Sequence, residues 1–101
     1  MLSKVILSIG LNDKDLHKQV IATEEAVDII TISMGEADIQ GATITTGGVG
    51  VYNGEVEKSV SVVLYEVEEK NVEVLCDLLK MALNQECIAV EIVENVNVKF
   101  M

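Results

Sequence analysis

Arginine, proline and tryptophan are absent from this chain, and basic charge of any kind is scarce. Seven lysines stand against seventeen acidic residues in 101 positions, which gives a formal net charge of −10. The lysines are scattered and form no cluster. Because phosphate backbones and anionic lipids are bound by clustered basic side chains, the composition argues against direct binding of nucleic acid or of a membrane surface.

Nucleophilic and metal-binding side chains are also few. The single histidine, His17, is distant in sequence from Cys76 and Cys87, which form no Cys-x-x-Cys pair. A cysteine nucleophile needs a neighbouring base, so no catalytic constellation is visible. Asp13, Asp15 and His17 alternate as a weak metal site would, yet lysines lie beside them and a fourth ligand is missing. We therefore predict a protein that is not an enzyme, with no cofactor and no metal site.

Long apolar runs are missing as well. Every apolar run is interrupted within a few residues, far short of the roughly twenty that a membrane-spanning helix needs. The N-terminus has one lysine, and its apolar segment is too short for a secretory signal. We expect a cytoplasmic protein with reduced cysteines, folded as one domain over residues 1–101.

What the chain does have is a pronounced hairpin signal. Asn53-Gly54 joins two β-rich arms, and this dipeptide favours the positive φ angles of a tight hairpin turn. Before the hairpin, alternation predicts a strand over Ser3–Gly10, and Thr23 is a suitable N-cap for a helix that stops near Gly35.

After the hairpin, apolar residues at helical spacing predict a second helix over residues 69–85. A last strand begins at Ile88 and either runs on to Phe100 or breaks near Asn95. The order β-α-β-β-α-β predicts an α+β, ferredoxin-like sandwich, in which an antiparallel sheet carries both helices on one face and the first strand lies near its centre.

The other face of such a sheet would be left uncovered. It would carry apolar and β-branched side chains, which is unfavourable for a bare surface. We expect a homo-oligomer, a dimer or a trimer, joined through this face or through strand edges and the tail over residues 96–100.

Three features are candidates for ligand binding. The glycine-rich arm could hold a phosphate or a sugar edge with exposed amides and hydroxyls, although it lacks the lysine of a P-loop and a bulged strand is the simpler interpretation. Polar residues at the end of the second helix should lie near the end of the first strand and form a polar pocket, unless they only cap the helix. A tyrosine in the hairpin could stack on a base. The predicted ligand-binding residues are Asn12, Asp13, Thr45, Thr46, Gly47, Gly48, Tyr52, Asn84 and Gln85.

Glu55 and Glu57 share one face of the hairpin just beyond its tip. Paired carboxylates can perform acid–base work in a cleft. On a hairpin with no enclosing cleft, we interpret them as solvated.

Recognisable stretches are distributed over most of the chain: Ile9–Asp15 with Gln19 and Thr23, Gly41–Ile44, Gly50–Tyr52 and Leu83–Val90. Together they resemble a group of uncharacterised proteins of similar length from phages and conjugative elements of Gram-positive gut bacteria. The resemblance implies a mobile-element origin, an accessory or counter-defence role and, for a phage-encoded protein, residence in the host cytoplasm. In architecture only, the chain is also similar to the signal-binding PII-like proteins and the metal-tolerance CutA proteins, which are trimers of this fold.

We therefore predict a non-catalytic, homo-oligomeric binding protein that captures a small polar or nucleotide-like ligand, such as a host defence signal. The alternative is an acidic inhibitor of a basic host nuclease or defence protein, of the anti-CRISPR or anti-restriction type. Strong salt dependence of binding would favour the inhibitor, because screening weakens association between opposite charges.

Overall fold

The computed structural model describes all 101 residues and contains four strands and two helices. The sheet has the order β2-β3-β1-β4, and every neighbouring pair of strands is antiparallel. The predicted ferredoxin-like α+β fold is confirmed, and the first strand lies inside the sheet as expected. The elements are β1 (Leu2–Gly10), α1 (Thr23–Glu36), β2 (Thr43–Tyr52), β3 (Glu55–Val67), α2 (Glu69–Ala82) and β4 (Ala89–Val93).

The hairpin between β2 and β3 turns at the predicted dipeptide. Asn53 and Gly54 have φ angles of +51° and +79°. Two consecutive positive φ angles are typical of a type I′ turn, which matches the twist of the strands it joins. The turn therefore fixes the register that begins with Tyr52 opposite Glu55.

The glycine-rich arm is a bulged strand. The register of β2 against β3 shifts between Thr45 and Gly48, where two residues lie opposite one. Gly47, inside the shift, has a φ angle of +88°, which only glycine adopts readily. The structure thus supports the interpretation of this arm as a bulged strand.

The core lies between the helices and one face of the sheet. Alternate residues of β1 and β3 point to this face and are fully buried, as the period of a strand requires. Helical spacing places the apolar residues of α1 and α2 against them. The fully buried strand residues are Val5, Leu7, Ile9, Val60, Val62 and Leu64.

The opposite side of the sheet carries no helix, and we call it the open face. The strand period assigns to it the residues between the buried ones, such as Ser8, Gly10 and Ser59, with Gly10 paired to Ser59. The tail that follows β4 contacts the end of the open face distant from Gly10. There the Phe100 ring meets the Tyr65 ring edge-on, with 6.2 Å between centroids and 73° between planes.

The ends of the helices differ from their predicted positions. Thr23 is the first residue of α1, and Ala22 occupies the N-cap without a side-chain hydrogen bond. Gly35 does not stop α1, which ends one residue later. α2 ends at Ala82 because Asn84 takes a left-handed conformation with a φ angle of +48°. Neither helix has the length and apolar character that a membrane-spanning helix requires.

The last strand is short. β4 ends at Val93, and Asn95 has a φ angle of +60°, which breaks the extended conformation. The predicted break near Asn95 is therefore correct, and the continuous strand to Phe100 is wrong. The homo-oligomer stays a prediction.

Candidate functional site

A cavity of about 580 Å³ opens on the open face, beside the tip of the β2–β3 hairpin. Its floor is formed by the ends of β1 and β4 and by the hairpin strands, and its rim by the loop after β1 and the connection from α2 to β4. Two glycines, Gly10 and Gly50, contribute to this floor. We refer to it as the open-face cavity.

Glu57 lies at the centre of this floor, half-buried. Its Oε2 accepts a hydrogen bond of 3.0 Å from the backbone N–H of Asn12. The carboxylate lies directly over Gly10, so that a Cβ atom at position 10 would overlap it. A Cβ atom on Gly50, which pairs with Glu57 in the neighbouring strand, would lie 3.9 Å from its Cγ, an ordinary contact. Glu57 is thus held on one oxygen and keeps its other oxygen free of hydrogen bonds within the protein.

Acidic side chains dominate the charge of the cavity. Glu55 stands at the mouth, where its Oε1 lies 3.2 Å from Nδ1 of His17 and both side chains are exposed. Lys14 is the one lysine of the lining. Opposed to it are four carboxylates, which favour a cationic ligand over an anionic one. These carboxylates are Asp13, Glu55, Glu57 and Glu86.

Asp13 is held by a dense set of hydrogen bonds. Its Oδ1 accepts the backbone N–H groups of Asp15 and Leu16, each at 2.9 Å. Asn84 donates Nδ2 to Asp13 Oδ2 and to Asp15 Oδ2, again at 2.9 Å. The hydrogen bond from Asn84, followed by those from the Leu16 and Asp15 amides, holds the pKa of Asp13 below its ordinary value. We call these four residues the Asp13 cluster.

Gln85 supports the site from below the rim. It is buried, and its Nε2 donates to the backbone carbonyl of Asn12 at 2.7 Å and to that of Leu83 at 3.3 Å. The peptide groups of Asn12 are therefore fixed from two directions, since its N–H binds Glu57 and its carbonyl binds Gln85.

The predicted polar pocket between the first strand and the second helix has a counterpart in the structure. Asn12, Asp13, Asn84 and Gln85 are brought together there by hydrogen bonds. Asn12, Asp13, Gln85 and also Tyr52 line the open-face cavity. Their role in ligand binding stays a prediction.

Other predicted residues lie elsewhere. The Asn84 side chain is occupied within the Asp13 cluster, and the residue lines a small neighbouring cavity of about 40 Å³. The bulged part of the glycine-rich arm lies farther from the hairpin tip than the cavity, whose β2 lining begins at Val49. The residues concerned, all exposed, are Thr45, Thr46, Gly47 and Gly48.

The most informative residue of the cavity, Glu57, is not among those predicted. The hairpin by itself offers no cleft, but the loop after β1 and the α2–β4 connection enclose its tip. A signal was present in the sequence, because Gly10 ends β1 and Gly50 lies in β2. Two glycines on the strands that flank Glu57 mark a space that its side chain can enter.

The cysteines and possible metal ligands add little to this site. Cys76 is half-buried, and burial raises the pKa of its thiol. Cys87 is exposed and lies on the rim of the cavity. No group of three or more histidine, cysteine, aspartate or glutamate side chains is arranged to hold a metal ion.

Comparison with known proteins gives matches among solved structures. No protein-family model and no curated protein matches the chain. It is similar to a phage SAM lyase in complex with S-methyl-5'-thioadenosine, with a TM-score of 0.63 and 23% identity over 90% of this chain and 79% of the other. It is likewise similar to a phage SAM lyase in the apo state, with a TM-score of 0.65 and 24% identity over 90% and 78% of the two chains. At this identity the likeness establishes a shared fold.

These neighbours correct the predicted function. Both the ligand-capturing protein and the acidic inhibitor were predicted to be non-catalytic, and that prediction is contradicted because the similar structures are those of an enzyme. The prediction rested on the lack of a histidine base, a cysteine nucleophile and a metal set, and an enzyme that uses none of these gives no such signal. Both neighbours are phage proteins. The resemblance to the uncharacterised phage and conjugative-element proteins stays a prediction.

Proposed function

We propose that this protein is a lyase that cleaves S-adenosylmethionine in the open-face cavity. The observation that carries the proposal is the half-buried Glu57 carboxylate, held on one oxygen in an acidic cavity of a fold shared with phage SAM lyase. A volume of about 580 Å³ lies within the usual range for small-molecule sites.

The charge of the cavity suits this substrate class. S-adenosylmethionine carries a sulfonium and an ammonium group, and four carboxylates of the lining face a single lysine. Attraction between opposite charges grows as water is excluded, so Glu57, the carboxylate on the cavity floor, contributes most to holding the cationic end. The net charge of −10 raises the local concentration of a cationic substrate around the whole molecule.

The rim of the cavity suits an adenosine group. Tyr52 is exposed at the end of β2, and its ring can stack on a purine. Beside it, Gly50 leaves the backbone of β2 open to close approach. We assign the adenosine to the Tyr52 end of the cavity and the amino-acid portion to the part where Glu57 lies against Gly10 and Asn12.

The proposed reaction is an internal displacement. A carboxylate oxygen of the substrate forms a bond to the γ-carbon of the methionine portion, which is attached to the sulfur. The bond between that carbon and the sulfur breaks. The electron pair stays on sulfur, which becomes the neutral thioether of S-methyl-5'-thioadenosine, the ligand of the similar structure. The remaining fragment leaves as an amino lactone, and no proton is transferred.

The residues of this chain contribute orientation rather than covalent chemistry. The acidic lining repels the substrate carboxylate and leaves it nearest to its own sulfonium, which brings the reacting atoms together. Such a reaction needs no nucleophile from the protein. The lack of a base beside either cysteine is therefore no obstacle to catalysis.

The test is incubation of the purified protein with S-adenosylmethionine and mass spectrometry of the products. We expect S-methyl-5'-thioadenosine and the amino lactone in equal amounts. The variant Glu57→Gln should react about a hundredfold more slowly, as is usual when a charge that stabilises the reacting geometry is removed. Its matched control is Glu91→Gln, which removes an exposed carboxylate from β4 on the same open face, outside the cavity, and should leave the rate unchanged.

Two results would contradict the proposal. A folded wild-type protein that forms no S-methyl-5'-thioadenosine would overturn the assigned activity. Reaction in heavy water that yields a fragment with deuterium on carbon would overturn the internal displacement, because that product requires a proton to leave and return.

A further inference from the structure

Gly10 is the last residue of β1, and its backbone gives no reason for a glycine. Its φ angle lies outside the left-handed region, unlike those of Gly47 and Gly54. A Cβ atom there would overlap Oε1, Cδ and Oε2 of Glu57, which are the whole carboxylate. The position is therefore constrained by the space that Glu57 occupies.

The carboxylate is enclosed from three directions. Gly10 lies under it, and the N–H of Asn12 binds its Oε2 at 3.0 Å. Asn12 is in turn held by Gln85, which donates a hydrogen bond of 2.7 Å to the Asn12 carbonyl. On the remaining side, Gly50 leaves ordinary van der Waals distance to the side chain. Oε1, the oxygen that accepts no hydrogen bond within the protein, lies against Gly10, and the Glu57 side chain lines the cavity.

We infer that Gly10 is a positioning residue. Because it has no side chain, it leaves the space on the floor of the open-face cavity in which the Glu57 carboxylate lies. A methyl group at this position would push the carboxylate away from the Asn12 N–H. Because the displaced atoms are the far end of a flexible side chain, the fold should tolerate the change. The consequence for catalysis rests on the proposed function, since it assumes that Glu57 acts there.

The test compares three variants by the amide proton resonance of Asn12 in ¹⁵N-labelled protein. Glu57→Ala removes the acceptor and defines the resonance position without the hydrogen bond. Gly10→Ala should move the Asn12 resonance in the same direction by a similar amount. Gly35→Ala, where a Cβ atom meets nothing within 4 Å, is the matched control and should leave the resonance in place.

Activity supplies the second readout. We expect Gly10→Ala to lower kcat/KM for S-adenosylmethionine about 10- to 100-fold, because a misplacement of about 1 Å in a reacting geometry has effects of this size. Gly35→Ala should retain the wild-type rate. A merely structural role of Gly10 would lower the thermal midpoint without moving the Asn12 resonance in folded protein.

The outcomes separate this inference from the proposed function. An unmoved Asn12 resonance in Gly10→Ala, or a moved resonance with an unchanged rate, overturns the positioning role. A moved resonance together with a wild-type protein that cleaves no S-adenosylmethionine supports the positioning of Glu57 and overturns the proposed activity.

If Gly10→Ala does not fold, the double variant Gly10→Ala, Glu57→Ala decides. Folding of the double variant would show that the clash is with Glu57, which supports the inference. Failure of the double variant to fold would show that position 10 is constrained by other groups, which overturns it.

Discussion

Asp13 and Glu57 line the same cavity, but the two carboxylates accept different numbers of hydrogen bonds. Asp13 accepts three hydrogen bonds, from Asn84 and from the amides of Asp15 and Leu16. Glu57 accepts one, from the N–H of Asn12. A carboxylate whose lone pairs are largely occupied organises the loop that carries it. One with a free oxygen retains capacity to bind a ligand.

The two carboxylates also owe their positions to different parts of the fold. Two of the three donors to Asp13 belong to its own turn, so most of that arrangement is local. Glu57 is positioned by Gly10 and Asn12, which are more than forty residues away in the chain. Its position therefore depends on the pairing of β1 with β3 and on the loop that follows β1.

The largest effect on stability is expected at Gln85, which holds Asn12, the donor to Glu57. Gln85→Leu removes the buried donor to the Asn12 carbonyl. We expect the free energy of unfolding to fall by about 1–3 kcal/mol, because the carbonyl loses its partner at a partly buried position. Urea unfolding measured by circular dichroism gives the difference.

The control for this substitution is Gln40→Leu, which makes the same chemical change at an exposed residue. It should alter the free energy of unfolding by less than about 0.5 kcal/mol. Equal effects of the two substitutions would show that the Gln85 hydrogen bonds do not support the fold.

A smaller effect is expected from Asp13, and it depends on pH. The pKa of Asp13 is held below its ordinary value in the folded protein, chiefly by Asn84. Its ionised form therefore stabilises the fold above the ordinary pKa, and this contribution is lost as the pH falls through the lower, folded value. The difference in unfolding free energy between wild type and Asp13→Asn should be full near about pH 7 and should shrink below about pH 4.

The comparison variant for this experiment is Asp28→Asn, at an exposed position of α1. The difference in unfolding free energy between wild type and Asp28→Asn should be smaller than that for Asp13→Asn over the same range of pH. A difference for Asp13→Asn that grows as the pH falls would have the wrong sign and would contradict the role assigned to the Asp13 cluster.

The fold could be predicted because its signals are local. Asn53-Gly54 prescribes its own turn, and alternation in β1 and β3 selects the buried face without knowledge of the partners. The meeting of Asn12 with Gln85 followed from topology alone, since the end of the second helix must approach the end of the first strand. Helix ends were less accurate, because the left-handed conformation of Asn84 leaves no mark in a hydrophobic pattern.

The site was harder to predict because it depends on register. Glu57 reaches across to Gly10, and no periodicity in either strand reveals that approach. At position 10 the missing side chain leaves space for the Glu57 carboxylate, and a single sequence does not show which side chain fills such a space. The proposed activity would leave little trace in a sequence for a related reason, since a substrate that brings its own reacting groups demands few of the residues by which catalysis is recognised.

The smallest effect concerns the third carboxylate of the cavity, Glu55. It faces His17 at 3.2 Å, but the two side chains are 51% and 65% exposed, so solvent screens the pair. A double-mutant cycle with His17→Asn and Glu55→Gln should give a coupling energy below about 0.5 kcal/mol. Asparagine suits the positive φ angle of residue 17 and is too short to restore the contact. A coupling above about 1 kcal/mol would mean that His17 holds the Glu55 carboxylate firmly at the mouth of the cavity. Of the three carboxylates, Glu57 alone would then keep an oxygen free for a ligand.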